Sequence, residues 1–295
     1  MNKGIWYAAG AYSFWGLFPI YFKWLQHVPA LQVVSHRILW SFVILAGLVL
    51  HGTPWRTFRD RALNLAVLRV YVLAAILIAV NWLVYIWAVN TGHIVETSLG
   101  YFITPLLNVF LGVLFFRERL RPWQWAALGL AGAGVLYLTL AYGAPPWIAL
   151  TLAFSFGIYG LVKKTAPLGS VHGLTLETGV LLLPALAYLL YAERTGAAAF
   201  LHTGATYDAL LVGSGLMTML PLLMFASAAR RIPLSLLGVL QYIAPTLQFL
   251  LGVLLYGEPF TQAQVIGFSL VWVALVIFSI EGFFAHRPQP VATPE

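Results

Sequence analysis

The chain has 295 residues, of which 61% are hydrophobic and 8% are charged, with a formal net charge of +7. Because a soluble domain carries about 25% charged residues, this composition excludes a water-soluble globular protein and predicts a polytopic membrane protein. The chain contains no cysteine, which excludes disulfide bonds, thiolate metal sites and cysteine nucleophiles.

Apolar segments follow one another along the whole chain, and each is about long enough to cross a bilayer as a helix. The first begins just after Lys3, and because another follows almost at once, we interpret it as an uncleaved helix rather than a signal peptide. The predicted fold class is therefore an all-α integral membrane protein with ten transmembrane helices. They are expected at residues 4–24, 31–51, 70–90, 98–116, 122–141, 146–164, 172–192, 206–228, 234–256 and 262–284.

The basic residues predict how the chain is oriented. Most of the 16 lysines and arginines fall in loops that would share one side of the membrane with the N-terminus. Since short loops rich in Lys and Arg face the cytoplasm, both termini are expected to be cytoplasmic. The net charge is then explained by topology, and no nucleic-acid partner is expected. The Pro-rich tail at 285–295 is expected to be disordered and cytoplasmic.

One apolar stretch occurs twice, as LGYFITPLLNVFLGVLFFRE at 99–118 and, 140 positions later, as VLQYIAPTLQFLLGVLLYGE at 239–258. In each copy a stripe at helical spacing combines polar side chains, a proline and a glycine. A duplicated, proline-interrupted membrane helix with a polar face is typical of a transporter binding site. Glycine and amide side chains also occur where helices simply pack together. The stripes are Tyr101, Pro105, Asn108 and Gly112, and Gln241, Pro245, Gln248 and Gly252.

The duplication divides the chain into two halves of five helices. Because five is an odd number, the second half enters the membrane upside down relative to the first. We therefore predict one repeat over residues 1–143 and an inverted repeat over residues 144–284, around a central cavity. A fainter similarity between residues 13–23 and 154–164 agrees with this division. Inverted repeats suit alternating access, in which a central site opens to one side of the membrane at a time.

A set of segments in the right order carries a resemblance to a known family. The chain resembles the RarD branch of the EamA-type drug/metabolite transporter superfamily over nearly its whole length. The resemblance implies a permease of the bacterial inner membrane, with ten helices and a central cavity, whose relatives export small metabolites or amino acids. The matching segments are SHRILWS at 35–41, NWLVYIWAVN at 81–90, SLGYF at 98–102, SFGIYGLVKK at 155–164, LPLLMF at 220–225 and QYIAPT at 241–246.

Charged residues inside the apolar segments are the first candidates for a substrate site. His36 and Arg37 lie in the second segment, where a charge costs roughly 2.5–3.5 kcal/mol unless it faces protein or water. Arg37 is expected either to hold a substrate carboxylate in a bidentate pair or to extend to the outer headgroups. Lys23, at the end of the first segment, is a candidate for substrate contact or gating, with an interfacial anchor as the alternative.

Amide and aromatic side chains supply further candidates. Asn81, Trp82 and Tyr85 lie too deep in the third segment to belong to an interfacial aromatic belt. Together with polar residues of the repeated stretch, they are expected to line a pocket for amphipathic or aromatic solutes. The candidates from the repeated stretch are Tyr101, Asn108, Gln241, Tyr242 and Gln248 for binding, and Pro105 and Pro245 for gating.

Glu177 is the acidic residue placed well inside an apolar segment. A buried carboxyl group can load and release a proton, so Glu177 is a candidate for coupling or gating. The alternative is a structural ion pair with Lys163 or Lys164, and the sequence leaves both interpretations open.

The chain lacks the HExxH, GxxxxGK[ST] and GxSxG motifs, so neither enzymatic activity nor ATP hydrolysis is expected, and no metal or cofactor. The predicted function is secondary transport of small amphipathic metabolites, amino-acid-like compounds or drugs by alternating access, with export as the expected direction. The alternatives are a non-transporting membrane interaction protein and a membrane-embedded enzyme acting on lipids. The expected partners are a small-molecule substrate and the lipid bilayer, and the oligomeric state is left open.

Overall fold

The computed structural model of the chain describes residues 3–52, 64–90, 94–142, 147–255 and 261–285. Over these residues the structure is helical and contains no β-strand. The helices are α1 Lys3–Gly16, α2 Phe18–Trp24, α3 Ala30–Gly52, α4 Leu65–Asn90, α5 Ile94–Phe116, α6 Pro122–Tyr142, α7 Trp147–Thr165, α8 Ser170–Arg194, α9 Ala205–Ala229, α10 Leu234–Gln241, α11 Ile243–Leu250, a π-helix at Leu251–Leu255, and α12 Gln262–Ala285.

Among the described residues, six helices are long and apolar enough to cross a membrane, within α3, α4, α6, α7, α8 and α9. Shorter apolar helical stretches lie in α5 and α12. Large apolar side chains such as Leu140, Leu183 and Leu254 are exposed on the outer surface. Such a surface is unfavourable in water and favourable against lipid chains. The fold is therefore that of an all-α, multi-pass membrane protein.

The first segment predicted from the sequence is divided in two. α1 ends at Gly16 and α2 begins at Phe18, because Pro19 has no N–H to donate to the Trp15 carbonyl. The side-chain amide of Gln248 donates to that carbonyl instead, at 3.1 Å.

The two copies of the repeated stretch differ in structure. α5 continues through Pro105, so the interruption that the sequence predicts there is absent. The second copy is divided at Tyr242, between α10 and α11, and continues as a π-helix. Pro245 cannot donate to the Gln241 carbonyl, which accounts for a break at this point. The predicted boundary at residues 143 and 144 and the tail after residue 285 lie outside the described residues.

The helices pack in pairs around a central aromatic cluster. α3 contacts α8 and α9; α1 contacts α9, α10 and α11; α7 contacts α4 and α5; α5 also contacts α10, α8 also contacts α4, and α6 contacts α12. α5 and α10 approach closely, since a Cβ added at Gly238 would lie 2.6 Å from the Pro105 carbonyl oxygen. The cluster in the middle contains Tyr12, Phe156 and Phe225.

Two ends of the molecule can be distinguished by their contacts. Near the start of α3, Gln32 donates to the Ala197 carbonyl at 2.6 Å and accepts from the Ala199 amide at 2.8 Å, both just before α9. α3 and α9 therefore begin at the same end, which we call the Gln32 end, and run in the same direction. At the opposite end of α3, Val49 packs against Val171 at the start of α8. We call this the Lys163 end, after the lysine near the end of α7.

Candidate functional site

Arg37 lies about two turns into α3 and its side chain is 5% exposed. Its Nε donates to Thr218 Oγ1 on α9 at 2.7 Å. Ser41, one turn further along α3, donates to the carbonyl of Gly215, which precedes Thr218 by three residues. Since α3 and α9 run in the same direction, the Arg37 side chain extends toward the middle of the molecule. This direction is opposite to the one that would bring it to the headgroups at the Gln32 end.

Aromatic rings surround the Arg37 guanidinium. Its Cζ lies 5.2 Å from the ring centroid of Phe22 and 5.8 Å from that of Phe18, both on α2, and 5.0 Å from Trp82 on α4. Cation–π contacts of this kind stabilise a buried cation without neutralising it. Trp82, predicted as a site residue, therefore lies directly against Arg37.

Three tyrosines complete the surroundings of Arg37. Tyr21, Tyr85 and Tyr101 lie near enough to the guanidinium to interact with it electrostatically. The rings of Tyr85 and Tyr101 contact each other with centroids 5.7 Å apart. The structure thus brings together the predicted residues Arg37, Trp82, Tyr85 and Tyr101.

The terminal amino groups of Arg37 are the hydrogen-bond donors of this arrangement that remain available to a ligand. They make no hydrogen bond to a described residue, and no described carboxylate forms an ion pair with them. A guanidinium carries donors in a rigid fork that matches the two oxygens of a carboxylate. The arrangement can therefore bind an anionic group end-on, while the rings contact an apolar body.

His36 faces away from Arg37. It is buried, its ring lies 4.9 Å from that of Phe200 in the α8–α9 connection, and its Nδ1 has no hydrogen-bond partner among the described residues. Trp40, one turn along α3, lies 6.1 Å from the same ring, and its Nε1 likewise lacks a partner in the described part of the chain. His36 thus belongs to the boundary between α3 and the connection at the Gln32 end.

Asn81 forms a contact between helices. Its side-chain amide donates to the Leu152 carbonyl and to the Ser155 hydroxyl of α7, each at 3.0 Å. Both donor hydrogens are therefore used within the protein, as is common where amides join membrane helices.

Asn108 and Gln241 join the two copies of the repeated stretch. The Asn108 amide donates to Gln241 Oε1 at 2.8 Å, and both side chains are buried. Asn108 Oδ1 accepts no hydrogen bond from a described residue and would lie 3.6 Å from a Cβ added at Gly157 or Gly160 of α7.

The other predicted residues lie elsewhere. Tyr242 donates to the Phe102 carbonyl at 3.2 Å and packs in an apolar cluster between α5, α6 and α12. Gln248 bonds to the Trp15 carbonyl, as described above. Lys23 is exposed in the last turn of α2. Of the residues from the repeated stretch, Asn108 and Gln241 therefore contact each other, whereas Tyr242 and Gln248 bond elsewhere.

Glu177 is 1% exposed and forms a buried ion pair with Lys163, which is 3% exposed. Lys163 Nζ lies 2.6 Å from Glu177 Oε1, and the Tyr159 hydroxyl donates to Oε2 at 3.0 Å. The ion pair expected as the alternative to a coupling role is thus present. Lys164 instead donates to the Ile232 carbonyl at 2.7 Å.

The residues around Arg37 that the sequence did not single out are Thr218, Phe18, Tyr21 and Phe22. Phe18 and Phe22 lie in the segment at 13–23 whose similarity to 154–164 was visible in the sequence, and that similarity was the available signal. Thr218 gives no such signal, because threonine is frequent in membrane helices and its importance arises from helix packing. Within the part of the chain that the structure describes, no group of three or more metal-ligating side chains is placed to hold a metal ion.

Comparison with known proteins agrees with this architecture. The model of the EamA-like transporter family matches residues 2–140. Protein RarD of Streptomyces exfoliatus is 46% identical over 99% of this chain and 96% of the relative. An uncharacterized transporter of Bacillus subtilis, YojE, is 46% identical over 94% of each chain, and protein RarD of Escherichia coli is 41% identical over 97% of each. The chain therefore belongs to the RarD group of the EamA-like transporter family, within the drug/metabolite transporter superfamily.

A solved crystal structure shares the fold. It superposes with a TM-score of 0.68 at 21% identity, over 95% of this chain and 98% of the other. A likeness at this identity shows the fold alone.

Proposed function

We propose that this chain is a secondary transporter of small amphipathic solutes that carry a carboxylate, such as amino-acid-like metabolites or drugs, and that it works by alternating access. The observation that carries the proposal is Arg37, a buried cation whose terminal amino groups lack a protein acceptor among the described residues. A substrate carboxylate would supply the missing acceptor. The rings of Phe22 and Trp82 would contact the apolar part of the solute.

The pattern of helix packing supports an inverted repeat of five helices in each half. Counting α1–α2 and α10–α11 as one segment each, we can exchange every segment with the one five places away. This exchange converts the contact of α1 with α9 into that of α7 with α4, and the contact of α3 with α9 into that of α8 with α4. It also converts the contact of α1 with α11 into that of α7 with α5, and all six of these helix pairs are packed together. The pairs α3–α8, α5–α10 and α6–α12 are each converted into themselves. Such an arrangement allows a central site to open to either side.

The positive-inside rule supports cytoplasmic termini in the bacterial inner membrane. In this topology the Gln32 end faces outward and the Lys163 end faces the cytoplasm. Export is the proposed direction, and transport without a chemical reaction accords with relatives named as transporters.

The test is a binding assay with matched solutes. Purified protein is titrated with labelled aromatic carboxylates and with their primary amides, which keep the shape and lose the charge. We expect saturable binding of at least one carboxylate, with its amide and the Arg37→Ala variant both at least about tenfold weaker, the order expected for a charge-assisted pair. Arg194→Ala, which removes an exposed arginine at the end of α8, serves as the control. Equal binding of acid and amide would contradict the proposal.

A further inference from the structure

Arg37 and Glu177 occupy equivalent positions in the two halves. α3 begins at Ala30 and α8 begins at Ser170, so each charged residue follows the first residue of its helix by seven positions. The separation of 140 positions is the same one that relates the two copies of the repeated stretch. The two buried charges of opposite sign are therefore counterparts.

Their neighbours are counterparts as well. Aligning 13–23 with 154–164 places Phe18 opposite Tyr159 and Phe22 opposite Lys163. Phe18 and Phe22 are the α2 rings that contact the Arg37 guanidinium, at 5.8 and 5.2 Å. Tyr159 and Lys163 are the side chains that bond to the Glu177 carboxylate, at 3.0 and 2.6 Å.

The two clusters differ in whether their charged group has hydrogen-bond partners. Around Arg37 the neighbours are aromatic, and the terminal amino groups have no described acceptor. Around Glu177 both carboxylate oxygens have donors, and neither Glu177 nor Lys163 is exposed by more than 3%. One cluster is therefore open to a ligand, and the other is closed on itself.

The closed cluster lies at the Lys163 end, where other polar contacts also join the helices. Lys164, beside Lys163, bonds to the carbonyl of Ile232 in the α9–α10 connection. The carboxylate of Glu118, just beyond α5, accepts from the Leu234 amide at 2.7 Å and from the Ser235 amide at 2.9 Å at the start of α10. The hydrogen bonds of Glu118 therefore join the two halves of the chain at the Lys163 end.

We propose that Lys163, Glu177 and Tyr159 form a gate that closes the solute pathway at the Lys163 end, and that the gate opens when the Gln32 end closes. This inference rests on the alternating access proposed above. A buried ion pair resists separation, because each charge left alone in an apolar interior is strongly unfavourable. Separation becomes acceptable once water enters between α7 and α8. The pair therefore favours a closed, dry state or an open, hydrated one over intermediate states.

The test measures accessibility near the gate, and the absence of native cysteine makes it direct. A cysteine replaces Leu174, which is 2% exposed and lies about one turn from Glu177 on α8. A membrane-impermeant maleimide is applied to right-side-out and inside-out vesicles. The probe is tested alone and in combination with Glu177→Gln, Lys163→Met and the exchanged pair Lys163→Glu with Glu177→Lys.

We expect Glu177→Gln and Lys163→Met to raise the labelling rate at least about tenfold from the Lys163 end, because either change leaves a single buried charge that hydration stabilises. The exchanged pair should return the rate close to that of the probe alone. Arg194→Ala, which removes an exposed arginine at the end of α8, should leave the labelling rate unchanged. Size-exclusion profiles identify any variant that has not folded. If a single variant does not fold, the labelling rate of the exchanged pair decides whether the gate is supported.

Three results would overturn the gate: no increase in either single variant, an equal increase from both sides of the membrane, or an exchanged pair as accessible as the single variants. The proposed function fails differently, through absence of carboxylate binding in the unaltered protein. The labelling and binding measurements therefore separate the two failures.

Discussion

Buried charge is balanced in two different ways in this protein. The Glu177 carboxylate has hydrogen-bond donors on both oxygens, from Lys163 and Tyr159. The Arg37 guanidinium is fixed at Nε by Thr218 and covered by aromatic rings, while its terminal amino groups lack a described acceptor. A buried polar group without a partner costs about 1–3 kcal/mol, and a charged group costs more. The arrangement around Arg37 is therefore expected where a ligand supplies the missing partner.

Replacing Arg37 by lysine tests whether the shape of the cation matters. Lysine keeps the charge but lacks the planar fork, so its tetrahedral ammonium donors do not match the two oxygens of a carboxylate as the guanidinium does. We expect Arg37→Lys to weaken binding of a carboxylate solute by at least about tenfold, which is the lower end of the range for charge-assisted bonds. Equilibrium binding measures this, with Arg194→Lys as the control. Unchanged affinity would show that only net charge is recognised.

Asn81 provides the contrasting case of a polar residue that bonds within the protein. Asn81→Ala removes the bonds to the Leu152 carbonyl and the Ser155 hydroxyl. We expect the free energy of unfolding to fall by about 1–3 kcal/mol, with solute affinity retained. Thermal unfolding in detergent and the binding assay together measure this. Lost affinity at unchanged stability would instead place Asn81 in the substrate site.

Among the helices, backbone breaks and close approaches shape the centre of the molecule. The division of the first segment at Leu17 is stabilised by Gln248, which bonds to the Trp15 carbonyl that Pro19 leaves without a donor. The crossing of α5 and α10 depends on Gly238, which allows the Pro105 carbonyl to approach. Both features involve the repeated stretch, where packing rather than a shared pocket accounts for much of the sequence pattern.

Gly238→Ala is expected to lower the free energy of unfolding by about 1–3 kcal/mol, as overpacking does. The added Cβ would lie 2.6 Å from the Pro105 carbonyl oxygen, and a backbone atom cannot move aside as a flexible side chain can. Gly129→Ala on α6 is the matched control, since a Cβ there meets nothing within 4 Å. Thermal unfolding of the two variants measures the difference, and equal stability would contradict the described crossing.

The helices themselves could be predicted from the sequence, because a long apolar run in a bilayer has few alternatives to a helix. The burial of Arg37 and Trp82 could also be predicted. A charge in an apolar segment is unfavourable unless it faces protein or water, and Trp82 lies deep in its segment. The contact of Thr218 with Arg37 could not be predicted, since it depends on how α9 packs against α3. The break in the second copy could be predicted from Pro245, whereas the continuation of α5 through Pro105 could not. The partners of the stripe residues could not be predicted either, because helical spacing gives a face but not the neighbour which that face meets.

At the scale of the whole molecule, the proposed inverted repeat has two halves that pack similarly and differ in the sign of one buried charge, Arg37 in the first and Glu177 in the second. One half presents a buried cation with unfilled donors, and the other presents a buried anion with its partners in place. In the account proposed here, this asymmetry distinguishes the part that binds the solute from the part that closes the pathway. The proposed binding role and the proposed gating role both require that the chain moves solutes across a membrane.

Counterflow in proteoliposomes tests that claim most directly. Vesicles with purified protein are loaded with an unlabelled carboxylate solute and diluted into a trace of the labelled solute, without an imposed gradient of any ion. We expect transient accumulation of label with the unaltered protein and with Arg194→Ala, and none with Arg37→Ala. Accumulation that is indifferent to Arg37 would contradict the binding site, and a lack of accumulation of every carboxylate tested would contradict transport by this chain.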